Sequence, residues 1–126
     1  MNHIARQFED LDFFDSDIVS VGLDPPARLV VTLRNVVVDR DPAGPRTLAR
    51  CQLVFEGTTS SVRRIREYAS NPAKDDFLPP RVIQDLDPLP PSANSRTFVL
   101  EGRLHDPDAW IEEWTVTATE CRVIAG

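Results

Sequence analysis

The dominant pattern along the chain has a period of two. Val19, Val21 and Leu23 alternate with Ser20 and Gly22, and beyond Asp24-Pro25-Pro26-Ala27 the residues Leu29, Val31 and Leu33 alternate with Thr32 and Arg34. Side chains of an extended strand point to opposite faces in turn, so two such runs around a proline-rich turn predict a β-hairpin. Val36-Val37-Val38 breaks the rhythm. It fits a strand end covered on both faces or a bulge, and the bulge is preferred. Cys51, Leu53 and Phe55 alternate with Arg50, Gln52 and Val54 and predict a third strand that stops at Gly57. Thr58–Tyr68 supports two readings. Val62 and Ile65 suit one helical turn, whereas Ser61, Arg63, Ile65 and Glu67 suit one face of a strand turned to solvent; the strand is preferred.

Phe98, Leu100 and Leu104 alternate with Thr97, Glu101 and Arg103, which places His105 outward at a strand end before the turn Asp106-Pro107-Asp108. In the last run Trp114, Val116 and Ala118 oppose Thr115, Thr117 and Thr119. Cys121 and Val123 then continue the apolar set one residue out of phase, which predicts a bulge near Thr119 or Glu120. A helix over Ala109–Thr117 is disfavoured by its threonines and valine. Six of the eleven prolines fall between Pro72 and Pro91. Proline fixes φ and removes an amide donor, so residues 70–96 read as an irregular connection with one edge strand over Arg81–Leu86. The whole predicts a mainly β chain folded as a single domain over residues 1–126. Its expected form is a small antiparallel sandwich or half-barrel of five to seven strands with at most one short helix.

Composition agrees with one packed domain: 126 residues, 41% hydrophobic and 27% charged. No apolar run approaches the roughly 18 residues of a membrane span, and MNHIARQFED lacks the order of a secretion signal; a soluble, cytoplasmic protein is expected. The net charge of −6 disfavours nucleic acid and anionic membranes and favours a protein partner with a basic surface. Thirteen of the fourteen bases are arginine, the exception being Lys74, which genomic base composition explains as well as chemistry does. Cys51 and Cys121 match no metal or redox spacing and read as buried free thiols.

Catalytic motifs are absent from the sequence: it contains no G-x-S-x-G, no H-E-x-x-H and no phosphate-cradling glycine loop. The inward cysteines should not meet His3 or His105. His105-Asp106-Pro107-Asp108 with Glu112 and Glu113 resembles a nitrogen and oxygen ligand set, but one histidine is thin support and a hydrogen-bonded turn is the better reading. Asp85 and Asp87 read as solvated loop charges rather than an acid–base pair, and Arg63-Arg64-Ile65-Arg66 with Tyr68 as a solvated charged face. No catalytic residue, metal or cofactor is expected, and the chain reads as a non-enzyme. Phe8–Asp17 stands out, with five acids and four large apolar residues in ten positions. Its aromatic rings must pack while its carboxylates fan outward, with Phe13 and Phe14 as the expected anchors. Glu9, Asp10, Asp12, Asp15 and Asp17, with Trp110 on a neighbouring rim, are therefore the candidate partner-binding residues. Two other classes stay open: a pocket between sheets lined by Trp110, Trp114 and His105, for a small ligand or an enzyme, and a homo-oligomer formed through an exposed sheet edge.

Five segments in order, Phe14-Asp15-Ser16-Asp17-Ile18-Val19-Ser20-Val21, Leu53-Val54-Phe55-Glu56-Gly57, the Arg66 to Asn71 stretch, Phe98-Val99-Leu100-Glu101 and Ala118-Thr119-Glu120-Cys121-Arg122-Val123, resemble small bacterial all-β families. Some of these are immunity proteins of polymorphic toxin systems. The resemblance implies an intracellular, non-enzymatic binder that masks a toxin. It departs at Phe14, where such families often carry a histidine, so no role of that histidine transfers. The alternation itself is testable: Leu33→Asp, in the inward register, should abolish the cooperative thermal melt and the β circular dichroism signal, whereas an outward Leu33 would leave both unchanged.

Overall fold

A computed structural model describes residues 8–14, 16–24, 27–38, 46–67, 78–90, 92–105 and 108–125. Among the described residues a 3-10 turn, Phe8–Asp10, precedes eleven strands: β1 (Leu11–Asp12), β2 (Asp17–Asp24), β3 (Arg28–Arg34), β4 (Val36–Val38), β5 (Arg46–Leu48), β6 (Cys51–Glu56), β7 (Ser60–Glu67), β8 (Arg81–Gln84), β9 (Arg96–His105), β10 (Asp108–Ala118) and β11 (Glu120–Ala125). The mainly β expectation holds, with no longer helix among the described residues and none long and apolar enough to cross a membrane. The strand count does not: one sheet has eight strands in the order β11-β6-β3-β2-β9-β10-β7-β8, and a second has three in the order β1-β4-β5. Nor is the large sheet wholly antiparallel. β2 and β9 run parallel, joined by only two residue pairs, Asp17 with Arg103 and Ile18 with Leu104.

That short junction lets the sheet bend. Phe55 on β6 and Phe98 on β9 have two strands between them in the sheet, yet their rings lie 5.4 Å apart edge to face. The inner faces therefore meet across a shared core, in which Leu29, Val31, Leu33, Leu53, Phe55, Ile65, Ile111, Trp114 and Val116 have no exposed surface. The sheet does not close, since β11 and β8 remain its two edges.

Two crossovers tie the ends together. Gly57 turns the chain from β6 to β7 with φ +62°, a left-handed conformation that glycine adopts at little cost. A Cβ there would lie 2.6 Å from Thr119 Oγ1. The Thr119 amide donates to the Glu56 carbonyl and the Thr58 amide to the Ala27 carbonyl. The phase slip expected near Thr119 is thus a change of neighbours rather than a bulge: β10 lies between β9 and β7, while β11 pairs with β6.

Three strand readings need correction, and β10 adds an irregularity that the alternation alone did not include. Val19 and Leu23 on β2 are 48% and 41% exposed, because β2 carries a bulge between Ile18 and Ser20 and its far half has no facing strand beside it. Val36-Val37-Val38 is not a bulge in β3. Asn35, at φ 61°, ends β3, and the buried Val36 and Val38 start a strand of the second sheet. Within Thr58–Tyr68 a strand runs from Ser60 to Glu67, as preferred, but the face read as solvated is inward, with Ser61 and Ile65 buried; Tyr68 lies outside the described residues. Finally, β10 is out of register between Ile111 and Glu113 against β7, and between Ile111 and Trp114 against β9. Such a bulge switches which residues face in. Ala109 and Ile111 are buried before it and Trp114, Val116 and Ala118 after it. In the proline-rich connection the edge strand is present but ends at Gln84.

The crossover geometry predicts that Gly57→Ala lowers stability by about 1–3 kcal/mol, through a strained φ and the collision with Thr119. A lower urea midpoint is the expected reading; a variant as stable as the parent would contradict the turn described here.

Candidate functional site

The bulge in β10 leaves Trp110 half-exposed on the outer surface, one short step from the buried Trp114. The acidic N-terminal segment lies against this surface. Phe8 anchors it by packing on Phe13, Phe55 and Phe98 at centroid distances of 5.3, 6.4 and 5.0 Å. Phe13 is buried. Ser16, also buried, donates its hydroxyl to the Phe13 carbonyl at 2.7 Å and accepts the Arg103 amide at its own carbonyl. Gly102, at φ +152°, permits that approach, since a Cβ there would fall 2.8 Å from Ser16 Oγ. Of the two expected anchors, only Phe13 serves. Phe14 is 57% exposed and stands edge-on to the Trp110 ring at 5.7 Å.

Asp12 connects this aromatic pair to a groove. Its Oδ1 accepts the Phe14 amide at 3.0 Å, fixing the turn that presents the ring. The groove, of about 370 Å³, is open to solvent and lined by Leu11, Asp12, Phe13, Val99, Leu100, Glu101, Glu112 and Glu113. The two glutamates of β10 reach it because the bulge falls on them. Glu112 also holds Arg64 and Arg66 of β7, so its charge is answered within the molecule.

Of the six residues singled out from sequence, five lie among the described residues. Asp12 and Trp110 are brought together through Phe14. Glu9 pairs with Arg96 at 3.5 Å, and Asp10 is half-buried on the 3-10 turn. Asp17 accepts from Asn35 Nδ2 at 3.1 Å and lies in register with Arg34 and Arg103. Asp15 lies outside the described residues. Outside those six, Phe14 meets Trp110, and Glu101 and Glu113 line the groove with Asp12.

On the inner side of the same strand a buried polar cluster corrects two further readings. Asp85 is not a solvated loop charge and Arg63 is not on a solvated face: their side chains are 7% and 12% exposed and meet at 2.7 Å. The Ser61 hydroxyl donates to Asp85 at 2.6 Å and accepts the Trp114 indole N–H at 2.8 Å. The Arg63 guanidinium lies 5.1 Å from the Trp114 ring centroid, within reach of a cation–π contact. Asp85 also donates its amide to the Ser61 carbonyl. Buried charges persist when each is paired and hydrogen-bonded, and here the pairing fastens the end of edge strand β8 to β7. Asp87 is exposed, as expected.

Trp114 therefore belongs to the core and does not line a pocket with Trp110. β9 ends at His105, whose side chain is outside the described residues, together with Asp106. Among the described residues no three His, Cys, Asp or Glu side chains converge as metal ligands would. Both cysteines are free, Cys51 buried and Cys121 half-buried. Burial pushes their thiols up to about 11 and about 12, which leaves them protonated and weakly nucleophilic at neutral pH.

Comparison with protein-family models, with curated proteins and with solved structures finds no match.

Two predictions follow from the inner side. Asp85→Ala, which strands Arg63 without its partner, should cost about 3–5 kcal/mol in chemical denaturation; a loss below about 1 kcal/mol would mean the pair is solvated. Alkylation of both thiols by iodoacetamide at pH 8 should be slow in the folded protein and fast in denaturant; equal rates would contradict their burial.

Proposed function

We propose that this domain acts by binding another protein, with the Phe14–Trp110 pair and the carboxylate-lined groove beside it as the contact surface. The observation that carries the reading is the exposed Phe14 ring set against Trp110 and joined through its own amide to Asp12. Exposed aromatic side chains held rigidly by their neighbours are favoured anchors of protein interfaces, because little freedom is lost when they are covered. Carboxylates at the rim, Asp12, Glu101 and Glu113, favour a partner that presents arginine or lysine, and they speed its approach. The overall charge of −6 acts in the same sense.

The role is one of binding rather than catalysis, and the protonated state of both thiols accords with it. An intracellular, bacterial, immunity-type inhibitor that covers a basic toxin surface is the specific form that the sequence resemblance implies, and a surface of this kind suits it. The groove volume favours one second reading, a small cationic ligand seated among the same carboxylates.

The test is affinity capture from source cells, followed by titration of the purified partner. Trp110→Ala should weaken binding at least about tenfold, the scale of an interface anchor. Asp12→Lys should slow association and flatten its salt dependence. Glu120→Lys, on the far edge of the sheet, should change neither. A partner that binds all three variants like the parent would refute this surface, and a groove saturated by a small cation in the absence of any protein would favour the second reading.

A further inference from the structure

The large sheet has a third free edge inside it. β2 pairs with β3 along its length, from Asp17 with Arg34 to Asp24 with Arg28, but on its other side β9 takes only Asp17 and Ile18. Among the described residues nothing pairs with the edge from Val19 to Asp24. An unpaired strand edge offers a row of backbone donors and acceptors, and proteins that stay monomeric blunt such edges with proline, charge or a covering segment. The other two edges are blunted in this way: β8 begins directly after Pro79 and Pro80 and carries Arg81, and β11 carries Glu120 and Arg122. The β2 edge has neither proline nor charge between Ile18 and Asp24. Instead it exposes Val19 and Leu23, and a side chain at Gly22 would meet no atom within 4 Å.

We propose that this edge pairs with the same edge of a second copy of the chain, antiparallel, about a two-fold axis through Val21. The sequence Val19-Ser20-Val21-Gly22-Leu23 is self-complementary around that point. A two-fold there sets Val19 opposite Leu23, Val21 opposite Val21 and Ser20 opposite Gly22, so apolar residues meet apolar ones along one face. Ile18 is already paired with Leu104 of β9, so the contact runs only from Val19 to Leu23, and no charged residue lies within it. Every residue of an isologous contact serves twice, which is why a short self-complementary strand suffices. This interface uses none of Asp12, Phe14 or Trp110 and stands or falls apart from the partner-binding surface.

Sedimentation velocity over a dilution series tests it. The parent protein should sediment as a dimer that dissociates on dilution, and Leu23→Lys should lose the dimer while keeping the parent's circular dichroism. Adding Val19→Glu to Leu23→Lys should restore the dimer, since the two-fold brings each new lysine against a new glutamate. Hydrogen exchange on the unmodified protein gives a reading that does not depend on variants folding: amides of residues 19–24 should exchange more slowly in the concentrated sample than in the dilute one. A parent that is monomeric throughout, a dimer that survives Leu23→Lys, or exchange at 19–24 independent of concentration would each overturn the proposal.

Discussion

The two-against-one mismatch in β10 decides which side of the molecule each neighbouring residue serves. Without it, strict alternation would place Trp110 and Trp114 on the same face. With it, Trp114 enters the core, hydrogen-bonds to Ser61 and carries the Arg63 guanidinium over its ring, while Trp110 stays outside to receive Phe14. The glutamates at the mismatch then line the groove. One irregularity in hydrogen-bond register thus supplies both the inner clasp on β8 and the outer surface proposed for binding.

The outer surface also depends on how the N-terminal segment is held. Its acids alone would fan into solvent. Phe8 and Phe13 pin it to the core, Ser16 ties it to β9 beside Gly102, and Asp12 turns it so that Phe14 projects. Ordering in advance matters to the proposed role, because a rigid aromatic loses less entropy on binding than a loose one. The β2 edge owes its exposure to a related constraint, the parallel junction with β9 that stops after two residue pairs.

Much of the fold was legible because the large apolar residues of β3 and β6 recur at every second position: Leu29, Val31, Leu33, Cys51, Leu53 and Phe55 are all buried, as their spacing implies, although Thr32 and Val54 between them are covered as well. What stayed hidden is non-local. Asp85 sits among prolines and has the composition of a loop acid; only the register of β7 with β8 brings it beside Ser61 and Arg63. Asn35 looks like an ordinary polar residue until its positive φ ends β3. In β10 the apolar positions switch from Ala109 and Ile111 to Trp114 and Val116 across Glu112-Glu113. A phase count over that run would have found the bulge and separated the two tryptophans. In the acidic segment the anchoring ring, Phe8, and the exposed one, Phe14, are told apart only by the core they approach.

The division of the two tryptophans between core and surface is most directly measured by fluorescence quenching of single-tryptophan variants that melt cooperatively. The protein retaining only Trp114 should emit at short wavelength and resist iodide and acrylamide, and the protein retaining only Trp110 should emit further to the red and be readily quenched by acrylamide. Equal quenching of both, or protection of Trp110 alone, would contradict the bulge and with it both faces built on it.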